Sequence, residues 1–308
     1  MIVAQSKSQT GYLCVTCGAQ YLPSTEPPAA CKICSDPRQF VGLDGQRWTT
    51  LDILRVTHTN LFFDEESGVQ SIHIEPSFGI GERAFLIQTA EGNLLWDCIP
   101  LLDARTIKAI RRLGGIRAIA ISHPHFYTAM VEWSLAFKNA PIHLHADDKQ
   151  WVVRPHENIR FWSGDTLPLF GGLTLIHTPG HFDGFQVLHW RDGAEGQGAL
   201  FSGDQPQVCP DRRWVSFMYS FPNWIPLGAS AVQRIVRTLE PWPFDRIYGA
   251  FAKRTVGNNA KERLQASAAR YLEAIGSPAQ EATRGERREA RPGSQPRRTA
   301  AARLERIK

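Results

Sequence analysis

Nowhere in the 308 residues do about eighteen apolar residues run together, so the sequence offers no helix to cross a bilayer. The opening residues, Met1-Ile-Val-Ala-Gln-Ser-Lys-Ser8, lack a basic stretch followed by a long apolar core, and no secretory leader is expected. Cysteine is scarce: there are six, of which four form two Cys-x-x-Cys pairs while Cys98 and Cys209 stand alone. Without a secretory leader, that grouping points to metal ligands and not disulfides, and to a reducing, cytoplasmic setting. A basic body is also missing. The net charge of +5 equals the excess of nine Lys/Arg over four Asp/Glu in residues 277–308, so the remainder is balanced. The charge therefore gives no reason to expect a nucleic-acid-binding core, and nucleic acid is expected at most through weak contacts of the tail. Oligomeric state has no signature in the sequence.

What is present divides the chain into three parts. Residues 1–45 carry Cys14-Val-Thr-Cys17 and Cys31-Lys-Ile-Cys34, two knuckles 13 residues apart. Each knuckle can turn two thiolates toward one ion, and the two together complete a tetrahedron. Zn²⁺ is the expected occupant, with Fe possible in a rubredoxin-like version. So short a segment buries little core, so its folding should be coupled to the metal. Residues 46–276 hold the apolar periodicity of one large domain. Residues 277–308 are rich in Pro, Gly, Arg, Ala and Glu and are expected to be a disordered basic tail.

The large domain is organised around Thr178-Pro-Gly-His-Phe-Asp-Gly184. Leu173–His177 reads as a buried strand, and Pro179-Gly180 break it, so His181 sits on a turn at a strand end. Ile119–His125 is a second strand, ending in His123-Pro-His125; residues i and i+2 of an extended segment face one side, which would aim both imidazoles at one ion. Ala199–Asp204 is a third strand, ending in a carboxylate. His123, His125, His181 and Asp204 thus form a metal-site constellation. Asp97 closes the strand Leu94–Asp97 and is a candidate supporting carboxylate. A rival set, His143, His145, Asp147 and Asp148, reads more simply as a core strand followed by an Asp-capped helical turn. Strands are expected over Trp48–Thr57, Gln70–Pro76 and Arg83–Thr89. Helices are expected over Asp103–Leu113, Phe126–Lys138, Leu227–Glu240 and Asn258–Ile275. The aromatics from Trp214 to Trp224, with Trp242, are candidates for an apolar pocket, though such density more often marks core.

The combination over roughly residues 70–275 resembles the metallo-β-lactamase superfamily. The matching features are Asp97 after a strand, His123-x-His125, Thr178-Pro-Gly-His181 and Ser202-Gly-Asp204, with Gly164-Asp-Thr-Leu ahead of the Pro-Gly-His. The resemblance implies an α+β architecture, an αββα sandwich with a metal site at one rim. His123, His125 and His181 would build a first metal site that Asp204 joins. Departures matter as much. The family's usual run is His-x-His-x-Asp-His, and here Tyr127 and Thr128 replace the last two residues. The late histidine expected near 244–249 has no counterpart in Tyr248-Gly-Ala-Phe251. A mononuclear zinc hydrolase of a small ester, thioester, lactone or amide follows, with Asp204 and Tyr127 as candidate catalytic groups. His123, His181 and Asp204 also compose a two-histidine, one-carboxylate set, so a non-haem iron thiol or persulfide dioxygenase is an alternative. A catalytically degenerate binding protein is another.

Overall fold

The computed structural model describes residues 9–276, which pack as one compact unit. The tail expected over 277–308 lies outside the described residues. Two sheets carry the fold. The first has seven strands in chain order: Thr59–Glu66, Val69–Glu75, Ala84–Thr89, Gly92–Trp96, Ala118–Ala120, Ile142–His145 and Ile159–Trp162. The first four pair antiparallel and the last four run parallel. The second sheet has six strands: Thr166–Pro168, Leu173–His177, Gln186–Trp190, Ala199–Gly203, Arg246–Gly249 and Thr255–Val256. Its neighbours are antiparallel except for Ala199–Gly203 beside Arg246–Gly249.

Three apolar layers follow from side-chain alternation along these strands. Phe85, Ile87, Leu94 and Trp96 of the first sheet meet Leu175, Leu188, Phe201 and Tyr248 of the second in the sandwich interior. The outer face of the first sheet, with Leu86, Leu95 and Ile119, packs beneath helices Ala104–Arg112 and Met130–Ala136. The outer face of the second, with Ile176, Val187 and Leu200, packs beneath Ala229–Leu239 and Ala260–Ala274. The result is the αββα sandwich that the motifs imply. No helix among the described residues is long and apolar enough to cross a membrane.

Several expectations need correction. The strand expected over Trp48–Thr57 survives only at Trp48–Thr50, because Leu51–Thr57 is a helix. Thr50 is its N-cap and accepts from Ile53 N at 3.3 Å, while Leu51 and Leu54, three apart, bury one face. The helix expected over Phe126–Lys138 is broken into a 3₁₀ turn, Pro124–Phe126, and a helix, Met130–Ala136, with Thr128 at φ 28° between them. The turn after Ile142–His145 is capped by the imidazole of His145, not by an aspartate. Asp103 caps Ala104–Arg112 as expected, accepting from Thr106 N.

The Cys₄ segment lies against the sandwich. Its strand Tyr12–Cys14 pairs antiparallel with Trp48–Thr50. Gly18, just past the first knuckle, has φ +73°, and a Cβ there would lie 2.3 Å from Pro100 Cγ. Only glycine permits both that backbone and that approach.

Candidate metal centre

Strand direction places the site. Ala118–Ala120 and Gly92–Trp96 are parallel, so Asp97 and the His123 loop leave the first sheet at one rim. Leu173–His177 and Ala199–Gly203 are each antiparallel to Gln186–Trp190, so they share a direction and end at one rim of the second sheet. His123, His125, His181 and Asp204 meet there. One ligand atom from each lies within 4.8 Å of all the others, and all four residues are buried.

The distances fit one ion. His125 Nδ1 lies 3.4 Å from His181 Nε2, and His123 Nε2 lies 3.4 Å from Asp204 Oδ2. A tetrahedron with metal–nitrogen bonds of about 2.1 Å has edges of about 3.4 Å. The histidine pair is not aimed as an extended His-x-His would be. His123 is extended (φ −167°), but His125 lies in the 3₁₀ turn that Pro124 opens, so one offers Nε2 and the other Nδ1.

Hydrogen bonds fix two of the tautomers. Asp97 Oδ1 accepts from Ser122 N at 2.7 Å and from Ser122 Oγ at 2.8 Å. With its proton spent on Asp97, Ser122 Oγ accepts from His123 Nδ1 at 2.9 Å. His181 Nδ1 donates to the carbonyl of Met218 at 3.1 Å. In both rings the remaining lone pair is on Nε2, aimed into the site. Burial holds all three imidazoles below their ordinary pKa, His181 at about 3, so they are neutral ligands at pH 7. Burial raises Asp204 to about 6, against the opposing pull of His181 and of Gln207. Asp97 is raised to about 7 by burial, although its bonds from Ser122 pull it down. Asp97 also holds φ 58°, a left-handed strain that a non-glycine tolerates only where its surroundings dictate it.

Other candidates fall elsewhere. Tyr127 is buried in the core with Phe126, Met130 and Trp133. It lines a cavity of about 10 Å³ beside Ala19 and Ile33 of the Cys₄ segment. Burial, with the charge of Asp148 adding to it, pushes the phenol well above its ordinary pKa. His143 is not a member of the rival cluster. Its members are His145, Asp147 and His177. His145 stacks on His177 at 3.7 Å, and His177 Nε2 already bonds the carbonyl of Asp183 at 2.7 Å. Asp148 turns inward to accept from Gly184 N. The aromatics of 214–224 divide: Phe221 approaches His181, Phe217 packs on Tyr271, and Trp224 is exposed. Trp242 lines a separate cavity of about 620 Å³ with Phe170 and Arg191, which holds none of the four residues.

Three residues of the site are not visible as motifs. Gln205, fully buried, clamps the turn: its Oε1 accepts from His181 N and its Nε2 donates to Thr178 O, both at 2.7 Å. Glu82 bridges Phe251 across the sheets, and both its carboxylate oxygens are buried without a hydrogen-bond partner. Burial raises it to about 8, with the charges of Asp204 and Asp97 adding. Arg38 reaches in from the Cys₄ segment and donates to His181 O at 3.2 Å.

In that segment Cys14 Sγ and Cys34 Sγ are 3.6 Å apart, as are Cys17 Sγ and Cys31 Sγ. Zinc–thiolate bonds of about 2.3 Å give edges of about 3.8 Å, so these four thiols also fit one ion. Backbone turns close both knuckles, Gly18 N to Cys14 O and Ser35 N to Cys31 O.

No family model matches the chain. Among solved structures, DIM-1 metallo-β-lactamase superposes with a TM-score of 0.53 at 12% identity, covering 70% of this chain and 98% of that one. TMB-1 gives 0.53 at 12% identity, covering 71% and 99%. The chain therefore has the metallo-β-lactamase fold, preceded by a Cys₄ unit of zinc-ribbon type. It is 51% identical over 268 residues to the uncharacterized protein YmaE of Bacillus subtilis (strain 168), covering 86% of this chain and 97% of that protein, and it belongs to the YmaE family.

Proposed function

We propose that the protein is a mononuclear zinc hydrolase of a small ester, thioester, lactone or amide. The observation that carries the reading is the convergence of three imidazoles and the Asp204 carboxylate, one ligand atom of each within 4.8 Å of the others, with two of the rings held in the ligating tautomer. Three neutral imidazoles of this kind fit zinc and would leave its fourth position open to water beside Asp204. When bound, the ion would polarise the scissile carbonyl and make an attacking water more acidic.

The chain's own residues do the rest. Ser122 and Asp97 hold His123, and Met218 O and Gln205 hold His181. Asp204, whose Oδ2 lies 3.4 Å from His123 Nε2, stands beside the open position as the carboxylate to take the proton from the attacking water. The rings of Phe182, Phe185 and Phe221 surround the imidazoles and keep bulk water from them. A four-cysteine zinc in the N-terminal unit is part of the same proposal.

The test is metal content of the full chain and of His181→Ala, together with a panel of small esters, thioesters and lactones. Two zinc ions per wild-type chain, one in the variant, and hydrolysis lost with the second support the reading. Iron in the cleft, or hydrolysis unchanged in His181→Ala, overturns it.

A further inference from the structure

The Cys₄ unit does more than abut the sandwich. It touches both loops that carry the histidines. Gln20 N donates to Thr128 O at 3.1 Å, just beyond the His123–His125 turn. Arg38 Nη1 donates to the carbonyl of His181 itself. The guanidinium lies 3.8 Å over the ring of Phe182, and the other side of that environment is the metal set: Phe182 meets His125 edge-on at 5.0 Å. Trp151 and Tyr219 complete an aromatic surround at 5.0 and 5.4 Å.

Arg38 is only 9% exposed, and burying a guanidinium is costly unless its donors are met. They are met with unusual care. Asp36 accepts from Nε at 2.6 Å and from Nη2 at 2.9 Å, a bidentate pair that fixes the plane of the fork. The loop holding this pair is tied down in turn, because Asn223 Nδ2 donates to Pro37 O at 2.8 Å and to Gln39 O at 3.1 Å. A unit that served only to cover the sandwich would need apolar contact there. This one delivers an oriented cation to the backbone carbonyl of a metal-ligand residue, His181.

We propose that Arg38 is a positioning residue of the metal centre, and that through it the Cys₄ unit and the cleft bind their metals cooperatively. This rests on the reading of the cleft as a metal site. Arg38 holds the His181 carbonyl and the Phe182 ring, so the turn from Thr178 to Gly184 keeps one ligating arrangement. When the Cys₄ metal leaves, the loop bearing Asp36 and Arg38 loses its anchor at Cys34, two residues before Asp36. The His181 turn then gains freedom, and the cleft binds its ion less tightly. By linkage, a filled cleft tightens the Cys₄ site by the same factor.

The experiment uses the full chain with both sites loaded and reads the dissociation constant of the cleft metal by competition with a tridentate chelator. Cobalt(II) serves as a spectroscopic probe, since only the Cys₄ site gives thiolate charge-transfer bands. Arg38→Met keeps the bulk over Phe182 and removes the charge and the donors. It is expected to weaken the cleft about 10–100-fold while the thiolate bands stay unchanged. Arg38→Lys, which keeps a cation and one donor, is expected to recover part of that loss. In the wild-type chain, displacing the Cys₄ metal with a mercurial thiol reagent is expected to weaken the cleft by a similar factor. A cleft constant in Arg38→Met within twofold of wild type, with both metals bound, overturns the inference and leaves the hydrolase reading standing. No cleft metal in the wild-type chain overturns both.

Discussion

Gln205 offers the sharpest test of how the His181 turn is held. Its side chain is fully buried and makes two hydrogen bonds of 2.7 Å, both to backbone groups of the turn, His181 N and Thr178 O. Gln205→Leu keeps nearly the same volume, so it should open no cavity, but it leaves both backbone groups buried without a partner. Each such orphan costs about 1–3 kcal/mol, so the variant should lose about 2–6 kcal/mol of unfolding free energy. Gln205→Glu separates the two bonds: a carboxylate can still accept from His181 N but faces the Thr178 carbonyl with a second acceptor. It should be no more stable than the Leu variant at pH 8, where the carboxylate is ionised, and should recover at lower pH as protonation restores a donor. Gly180→Ala approaches the clamp from the other side, since a Cβ there would sit 2.6 Å from Gln205 Oε1. Urea unfolding of the zinc-loaded chain measures the losses, and chelator competition should show cleft affinity falling about 10–100-fold in Gln205→Leu. A Leu variant within about 0.5 kcal/mol of wild type would refute the argument, since it would mean that water or a shifted turn satisfies both groups.

Two further outcomes follow from buried charge and a third from a close backbone approach. Glu82 has a folded-state pKa of about 8 against an ordinary 4.5, so the fold favours its protonated form: stability is fully present below about pH 4.5 and is lost as pH rises toward 8. With the cleft stripped of metal, Glu82→Gln should therefore gain on wild type across that window, by at most about 5 kcal/mol at pH 9, and urea midpoints taken at pH 5 and pH 9 that differ equally from wild type would contradict it. Arg83 is buried and ties the two sheets, pairing with Glu65 at 2.6 Å and donating to Gly249 O at 3.0 Å. Arg83→Ala takes the cation from Glu65, which keeps only the Ser71 hydroxyl, and the donor from Gly249 O, and should cost about 3–5 kcal/mol by thermal or urea unfolding. Gly18→Ala should lower the affinity of the Cys₄ site, read by the loss of cobalt–thiolate bands, because its Cβ would meet Pro100.

The parts of this molecule that were legible in the sequence are those set by local chemistry. Pro179-Gly180 end a strand wherever they fall, so His181 at a strand end could be read directly. Asp103 reads as a helix cap because capping needs only residues three apart. The errors have local causes as well: Trp-Thr-Thr-Leu looks like strand until Thr50 is recognised as a cap, and the helix after His125 stops at Thr128, whose backbone no pattern of apolar residues reveals. Arg38 was illegible for a different reason. It stands 143 positions from the carbonyl it holds, and an arginine beside a cysteine knuckle looks like any solvated charge. Gln205, by contrast, sits next to a predicted ligand, but nothing in Gly-Asp-Gln-Pro distinguishes a clamp from a turn.

The residues standing where the resemblance expects a second metal site support the proposal of a single ion. Phe251 follows the strand where a late histidine would be expected, and it faces Glu82 across the isolated bridge between the sheets. Tyr127, in place of an aspartate, has gone into the core. What remains is acidic: Glu82, Asp97 and Asp204 are all buried and all raised by that burial, to about 8, 7 and 6. Asp204 alone reaches the imidazoles, while Asp97 acts through Ser122 and the Glu82 carboxylate has no side-chain partner among the described residues. Three acids that repel one another beside three neutral rings are costly in an empty site. A dication held by the rings offsets that cost, because it lowers each acid toward its ionised form. The cleft residues therefore favour the metal-loaded state by a linkage that runs through protons as well as through ligand bonds, and the metal affinity should rise with pH across the range in which these acids ionise.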